Sequence, residues 1–198
     1  GEESRRTVHE LRGRMDAIIV GGGTLRADDP LLTARPAGPR IATRIVLSAS
    51  GNLPDNCRLR STAREAPVLI FTQEEHQTKL TGWVADGCEV VPLPASETGL
   101  SIDGVLGELG RRRMTNVMVE GGAGILGAFI DARAADECHI FIAPKIIGGD
   151  GALSPIGGRG IERIAQSLSL VNIAVNRGGD DVYIHGIQVD EPRMPPRG

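Results

Sequence analysis

Cysteine is scarce and unpatterned in this chain of 198 residues. Cys57, Cys88 and Cys138 are odd in number, widely spaced, and form no CxxC or Cys/His cluster. That argues against a disulfide framework and against a zinc site of the usual spacing. The four histidines, His9, His76, His139 and His185, show no metal-ligand spacing either. No metal is therefore expected, and each histidine reads as structural or exposed. Long apolar runs and a signal-peptide pattern are also lacking, so no membrane partner is expected and the default location is the cytoplasm. A net charge of −3 gives no cationic excess with which to hold nucleic acid or an anionic membrane. The basic run Arg111-Arg112-Arg113 reads as a solvated helix end, since cations suit helix C-termini.

What is present is ordinary globular composition, 40% hydrophobic and 24% charged. The length suits one domain, expected over residues 1–189, with a proline-rich disordered tail over 190–198. Helical spacing is expected over Glu3 to Arg14, Ile102 to Arg113 and about Gly122 to Ala132. Short β-like runs lie at 16–20, 44–48, 67–72, 88–91 and 117–120, with short helical pieces near 24–29, 74–81 and 161–166. After a β-like run at 137–143 and a Pro/Gly loop at 144–160, residues 167–176 and 181–189 alternate about Arg177-Gly178-Gly179-Asp180. That is the pattern of an antiparallel hairpin. The expected fold class is α/β: three layers, α/β/α, around a mixed, mainly parallel sheet with an antiparallel C-terminal hairpin.

The segment Val117-Met118-Val119-Glu120-Gly121-Gly122-Ala123-Gly124-Ile125-Leu126-Gly127-Ala128 carries the strongest chemical signal. Gly122 to Gly127 fits G-x-G-x-x-G between a strand and a helix. Glycines let a phosphate approach the main chain, and the next helix N-terminus favours an anion. A strand-to-helix turn kept for packing alone meets the same pattern, so the motif leaves both readings open. No acid ends a second strand ~20 residues on, as a plain NAD-type unit requires; Glu137 lies near that spacing but precedes its strand. A bound dinucleotide would therefore sit in another kind of α/β pocket.

Gly21-Gly22-Gly23-Thr24-Leu25-Arg26-Ala27-Asp28-Asp29-Pro30 is a second glycine-rich turn after a β run. Thr24 offers a hydroxyl, and Asp28 and Asp29 offer acceptors. An Asx-turn before proline explains the acids equally well. Ligands in open α/β sheets sit at the carboxyl ends of strands, so both turns are expected to border one pocket.

Taken together, Asp16 to Arg35, Val119-Glu120-Gly121-Gly122 and Ile142-Ala143-Pro144-Lys145-Ile146-Ile147-Gly148-Gly149 resemble the reductase domain of the riboflavin-pathway deaminase/reductase. Three motifs in order, over about residues 3–189, are far more specific than any one. The resemblance implies a dihydrofolate-reductase-like fold, usually a homodimer. It also implies NADPH-dependent reduction of a phosphoribosylamino-pyrimidine to its ribitylamino form. Carried over by motif, Thr24 and Asp28 would contact the nicotinamide cofactor. Ser48 would lie by its adenosine 2′-phosphate. Gly121, Gly122, Ala123, Gly124, Ile125, Leu126, Gly127 and Ala128 would hold its pyrophosphate. Arg12, Leu32, Arg35 and Glu120 match substrate-binding positions; an arginine fork suits a phosphate ester. Asp28 and Glu120 are the candidate catalytic acids.

The family usually opens with a strand bearing a Ser-Leu-Asp-Gly-like motif, followed by a segment with serine and tryptophan near the substrate. Gly1-Glu2-Glu3-Ser4 begins just after that region, so the N-terminal core strand is expected to be missing. No zinc deaminase signature occurs, leaving at most the reductase step. Two other functions fit the same cofactor loops: a related NADPH reductase of another small heterocycle, and a catalytically silent nucleotide-binding or dimerisation module.

Overall fold

The computed structural model describes residues 1–96, 99–149, 151–152 and 154–189. The tail expected to be disordered, residues 190–198, lies outside them. Five short apolar runs form the central sheet: β1 (Ala17–Gly21), β2 (Thr43–Leu47), β3 (Val68–Gln73), β4 (Glu89–Leu93) and β7 (Val117–Gly121). Their order is β4-β3-β2-β1-β7, and every pairing is parallel. β1 is buried along its whole length, which is why it reads as an unbroken apolar run and not as an alternating one.

Side chains alternate across this sheet into two cores. Ile18, Val20, Val46 and Ile70 pack with Leu25 of α2 (Gly22–Asp28), Leu59 of α3 (Arg58–Ser61) and Trp83 of α4 (Thr81–Ala85). Ile19, Ile45, Leu69 and Phe71 pack on the other face with Val105 and Leu109 of α5 (Ile102–Arg111) and Phe129 of α6 (Ala123–Asp131). Helices thus cover both faces, the expected three layers. Ser101 starts α5 by accepting a hydrogen bond from Gly104 N–H at 3.1 Å. The basic run at its end is ion-paired: Arg111 with Glu108, and Arg112 with Glu108 and Glu89.

Two side chains tie the amino ends of the strands together. Asp16 accepts from the backbone N–H groups of Asn116 (2.9 Å) and Thr115 (3.0 Å) and pairs with Arg40. These bonds, led by that from Asn116, hold its carboxyl below the ordinary range. Arg44 is fully buried in β2 and donates to Thr62 Oγ1 (2.7 Å) and to the carbonyls of Thr62 (2.8 Å) and Ala66. Those oxygens replace the water it has lost, and burial lowers its pKa.

The C-terminal part differs in one respect from expectation. β8 (Glu137–Ile142), β9 (Leu170–Gly178) and β10 (Asp181–Gln188) form the antiparallel hairpin and one further strand, in the order β8-β10-β9. Among the described residues this sheet stands apart from the parallel one, where a single mixed sheet was expected. It meets α1 (Glu2–Arg12) where Ser4 Oγ donates to buried Asp181. Three small features have no sequence forecast: α3, α4, and the antiparallel pair β5 (Ala95–Ser96) and β6 (Gly99–Leu100).

Candidate active site

β1 lies between β2 and β7, so the segments leaving their carboxyl ends are neighbours. Ser48 follows β2, Gly22 to Thr24 follow β1, and Glu120 and Gly121 end β7 with Gly122 next. The two glycine turns touch directly: Gly122 N–H donates to Thr24 Oγ1 at 2.6 Å. A Cβ on Gly122 would meet that hydroxyl at 3.2 Å, and one on Gly22 would meet Ser48 Oγ at 3.3 Å. A Cβ on Gly21 would meet Ile125 of α6 at 2.8 Å. Thr24, Ser48, Gly122 and Ile125 are therefore one cluster, and the glycines keep its approaches close. Gly121 has φ +116°, and its peptide to Gly122 is cis. No side chain caps α6, which leaves its first N–H groups and positive dipole end to an anion.

Glu120 owes its position to an irregularity in the ladder. Val119 pairs with Ile19 and Gly121 with Val20, so Glu120 is an extra residue in β7. A bulge of this kind re-aims a side chain. Glu120 meets Arg12, from the last turn of α1, in a bidentate pair with Nε–Oε1 at 2.6 Å and Nη2–Oε2 at 2.5 Å. Both side chains are only 14% exposed. Arg12 also reaches the Thr33 carbonyl at 3.3 Å, and His9 Nδ1 meets the same oxygen at 3.1 Å. Those contacts hold the proline loop against α1, with Leu32 buried beside them at φ +55°. Burial, then the nearby Arg12 charge, lowers the His9 pKa. The sequence reading had no part for Thr33, which acts through its backbone, nor for His9.

The remaining expected residues fall as follows. Asp28 is at the exposed end of α2, whereas Asp29 turns inward and accepts from Arg58 N–H at 2.7 Å. Arg35 is exposed in the loop before Pro36. Gly127 is packed against a distant loop. A Cβ there would lie 2.3 Å from the carbonyl carbon and oxygen of Gly157, so its role is close packing of a loop on α6. That loop is fastened by Gly157 N–H to Ala123 O (2.9 Å) and Arg159 N–H to Asp131 Oδ2 (2.8 Å). A cavity of about 310 Å3 adjoins Arg12 and Leu32 and extends to Arg44, Thr62 and Ala66. Another, of about 330 Å3, sits by Met15, Asp16 and Arg40 at the amino end of the sheet. Thr24, Ser48 and Gly122 line neither.

A parallel sheet with two glycine turns joined at the ends of neighbouring strands defines an α/β ligand-binding domain. More particularly, the chain belongs to the RibD C-terminal domain family, whose model matches residues 1–185. It is 34% identical over 170 residues to the 2,5-diamino-6-ribosylamino-4(3H)-pyrimidinone 5′-phosphate reductase of Aquifex aeolicus, covering 85% of this chain and 75% of that one. It is 30% identical over 184 residues to riboflavin biosynthesis protein RibD of Actinobacillus pleuropneumoniae, covering 93% of this chain and 49% of that one. The chain spans about half the length of that relative, and about a third (31% and 32%) of the maize and Arabidopsis thaliana PYRR proteins it also matches. Among solved structures, RibD of Acinetobacter baumannii aligns with a TM-score of 0.79 at 21% identity, over 96% of this chain and 51% of that one. The riboflavin biosynthesis reductase Rib7 of Saccharomyces cerevisiae aligns at 0.72 and 21%, over 96% and 82%. These structures share the fold. No helix among the described residues is long and apolar enough to cross a membrane.

Proposed function

We propose that this chain is an NADPH-dependent reductase of riboflavin biosynthesis. It would convert the ribose of a 5-phosphoribosylamino-pyrimidine to the ribitylamino form. The observation that carries the reading is the row of strand ends in which Thr24, Ser48 and the Gly121-Gly122 turn lie beside the Arg12–Glu120 pair. The names of the Aquifex aeolicus and Methanothermobacter thermautotrophicus relatives give the same substrate class.

Each residue has a task in this scheme. The turn from Gly121 to Gly124 and the N-terminus of α6 would face the cofactor pyrophosphate, with Ile125, Leu126, Gly127 and Ala128 shaping the helix behind them. Thr24 fixes the turn and would face the nicotinamide side together with Asp28, and Ser48 would lie by the adenosine 2′-phosphate. Arg12 and Arg35 supply positive charge to the substrate phosphate, Leu32 packs beneath it, and Glu120 accepts from the polar pyrimidine or ribityl groups. When bound, NADPH supplies hydride to C1′ of the ring-opened ribose. The proton that balances it would come from water, with Asp28 or Glu120 as the acid that relays it.

The cofactor assignment has its own test. The 2′-phosphate of NADPH adds charge-assisted hydrogen bonds worth about 1.5–3 kcal/mol each, so NADPH should bind at least about 10-fold tighter than NADH in a fluorescence titration. Equal affinities would remove the preference. The reading extends to a cytoplasmic homodimer. Free cysteines belong to a reducing compartment. Ile140, Ile142, Ile173 and Val175 lie exposed on one face of the antiparallel sheet, a surface suited to a second copy.

A further inference from the structure

The antiparallel sheet carries a polar cluster away from the glycine turns. On β8, Glu137 and His139 are two residues apart and share a face. On β10, His185 pairs directly opposite His139, which places it on that face too. Their ligand atoms all lie within 4.8 Å of one another. His139 Nε2 is 3.2 Å from Glu137 Oε1, and His185 Nε2 contacts the same oxygen.

We propose that Glu137, His139 and His185 bind a divalent transition-metal ion of the zinc type. Two imidazoles and a carboxylate, with a position open to water, are a known donor set for Zn2+. Metal–ligand lengths of about 2.0–2.1 Å put tetrahedral donors roughly 3.3 Å apart, close to the separation His139 and Glu137 already have. Nitrogen donors disfavour Mg2+ and Ca2+, which take oxygen. Cys138 lies between Glu137 and His139 and so faces the other side of the sheet.

Neighbouring groups can orient the two imidazoles. Tyr183 OH meets His139 Nδ1 at 2.7 Å and can accept from Nδ1–H, the tautomer in which the Nε2 lone pair is free for an ion. His139 stacks on His185 at 4.7 Å between ring centroids, and Phe141 on Tyr183 at 4.8 Å. This row of rings fixes the imidazole planes. Side-chain exposures of 51%, 23% and 29% for Glu137, His139 and His185 leave an entry path from solvent. A bound ion would clamp β8 to β10. Sequence spacing hid the site because a β-ladder joins residues far apart in the chain.

The test is titration of the whole chain, freed of metal by chelator, with Zn2+ by calorimetry and Co2+ by visible absorption. The expected result is one ion per chain, with a Co2+ spectrum lacking a thiolate charge-transfer band. His185→Gln and Glu137→Gln should each weaken Zn2+ binding more than 10-fold, and Tyr183→Phe by about 10-fold, the usual cost of losing an outer partner. Cys138→Ser should change nothing. Absence of stoichiometric binding, a thiolate band, or affinities within a factor of about three in both Gln variants would overturn the proposal. Melting in chelator checks each variant's fold. Should His185→Gln not fold, half-exposed Glu137→Gln together with the histidine NMR signals of the unaltered chain decides the matter: Nε2 resonances shifted by Zn2+ support the site, and unshifted ones refute it.

Discussion

Arg12→Ala should lower kcat/KM for the phosphoribosylamino-pyrimidine by at least about 100-fold, because two charge-assisted hydrogen bonds are worth about 3 kcal/mol or more together. The loss is larger than that of one cation. Arg12 and Glu120 are a bidentate pair at 2.6 and 2.5 Å, so removing the arginine leaves a largely buried carboxylate facing an anionic substrate. Arg12→Lys keeps the charge but not the fork, and should recover only part of the activity. Glu120→Gln keeps the shape and one acceptor, so it should be milder than Arg12→Ala. The pair also holds α1 against the end of β7. Pairs fully exposed contribute about 0.2–1 kcal/mol and broken buried ones cost about 3–5 kcal/mol. At 14% exposure, Arg12→Ala should cost between these, about 1–3 kcal/mol. Adding Glu120→Gln should restore some of that stability, a non-additivity that denaturant titration of both single variants and the double variant would reveal. Activity within a factor of about three of the parent in Arg12→Ala would remove the pair from the substrate site.

The second large effect belongs to Gly127. Glycine to alanine inside a helix ordinarily gains up to about 1 kcal/mol. Here the new methyl would lie 2.3 Å from the carbonyl of Gly157 and 2.5 Å from Gly158 N. Those are backbone atoms and cannot rotate aside, so overpacking of about 1–3 kcal/mol should win. For a chain of this size that is a fall in melting temperature of roughly 2–12 °C. The displaced loop is fastened to Ala123, the first residue of α6, so NADPH affinity should fall as well. Gly124→Ala is the control: nothing stands within 4 Å of its would-be Cβ, so its melting temperature should hold or rise. A melting temperature for Gly127→Ala at or above the parent's would contradict the packing role.

Gly127 also shows where sequence reading reached its limit. The G-x-G-x-x-G spacing placed the turn and helix correctly. It offered the third glycine to the cofactor, and nothing in the spacing foretold the loop some thirty residues further on that packs against it. A spacing rule describes local backbone and carries no information about which distant segment packs there. The same holds for Glu120, whose strand end was legible from Val117-Met118-Val119. Its partner was not, because the bulge that aims it at Arg12 arises only when β7 pairs with β1. The apolar strands were read with little error because burial on both faces leaves a continuous signal in the chain. The antiparallel strands were read as well, but not their separation from the parallel sheet, which depends on which edges meet. Arg12, Leu32 and Arg35 carried no periodicity of their own. They were singled out by resemblance alone, and geometry adds the Thr33 carbonyl that holds Arg12 to the loop.

The most direct test of the central claim is NADPH oxidation by the purified chain with each of two substrates, 5-amino-6-(5-phosphoribosylamino)uracil and its non-deaminated 2,5-diamino analogue. The account predicts turnover of at least one, with the ribitylamino product formed in step with NADPH consumed, and the preferred substrate shows whether deamination precedes reduction. NADPH binding without turnover of either would contradict it and leave a nucleotide-binding module in place of a reductase.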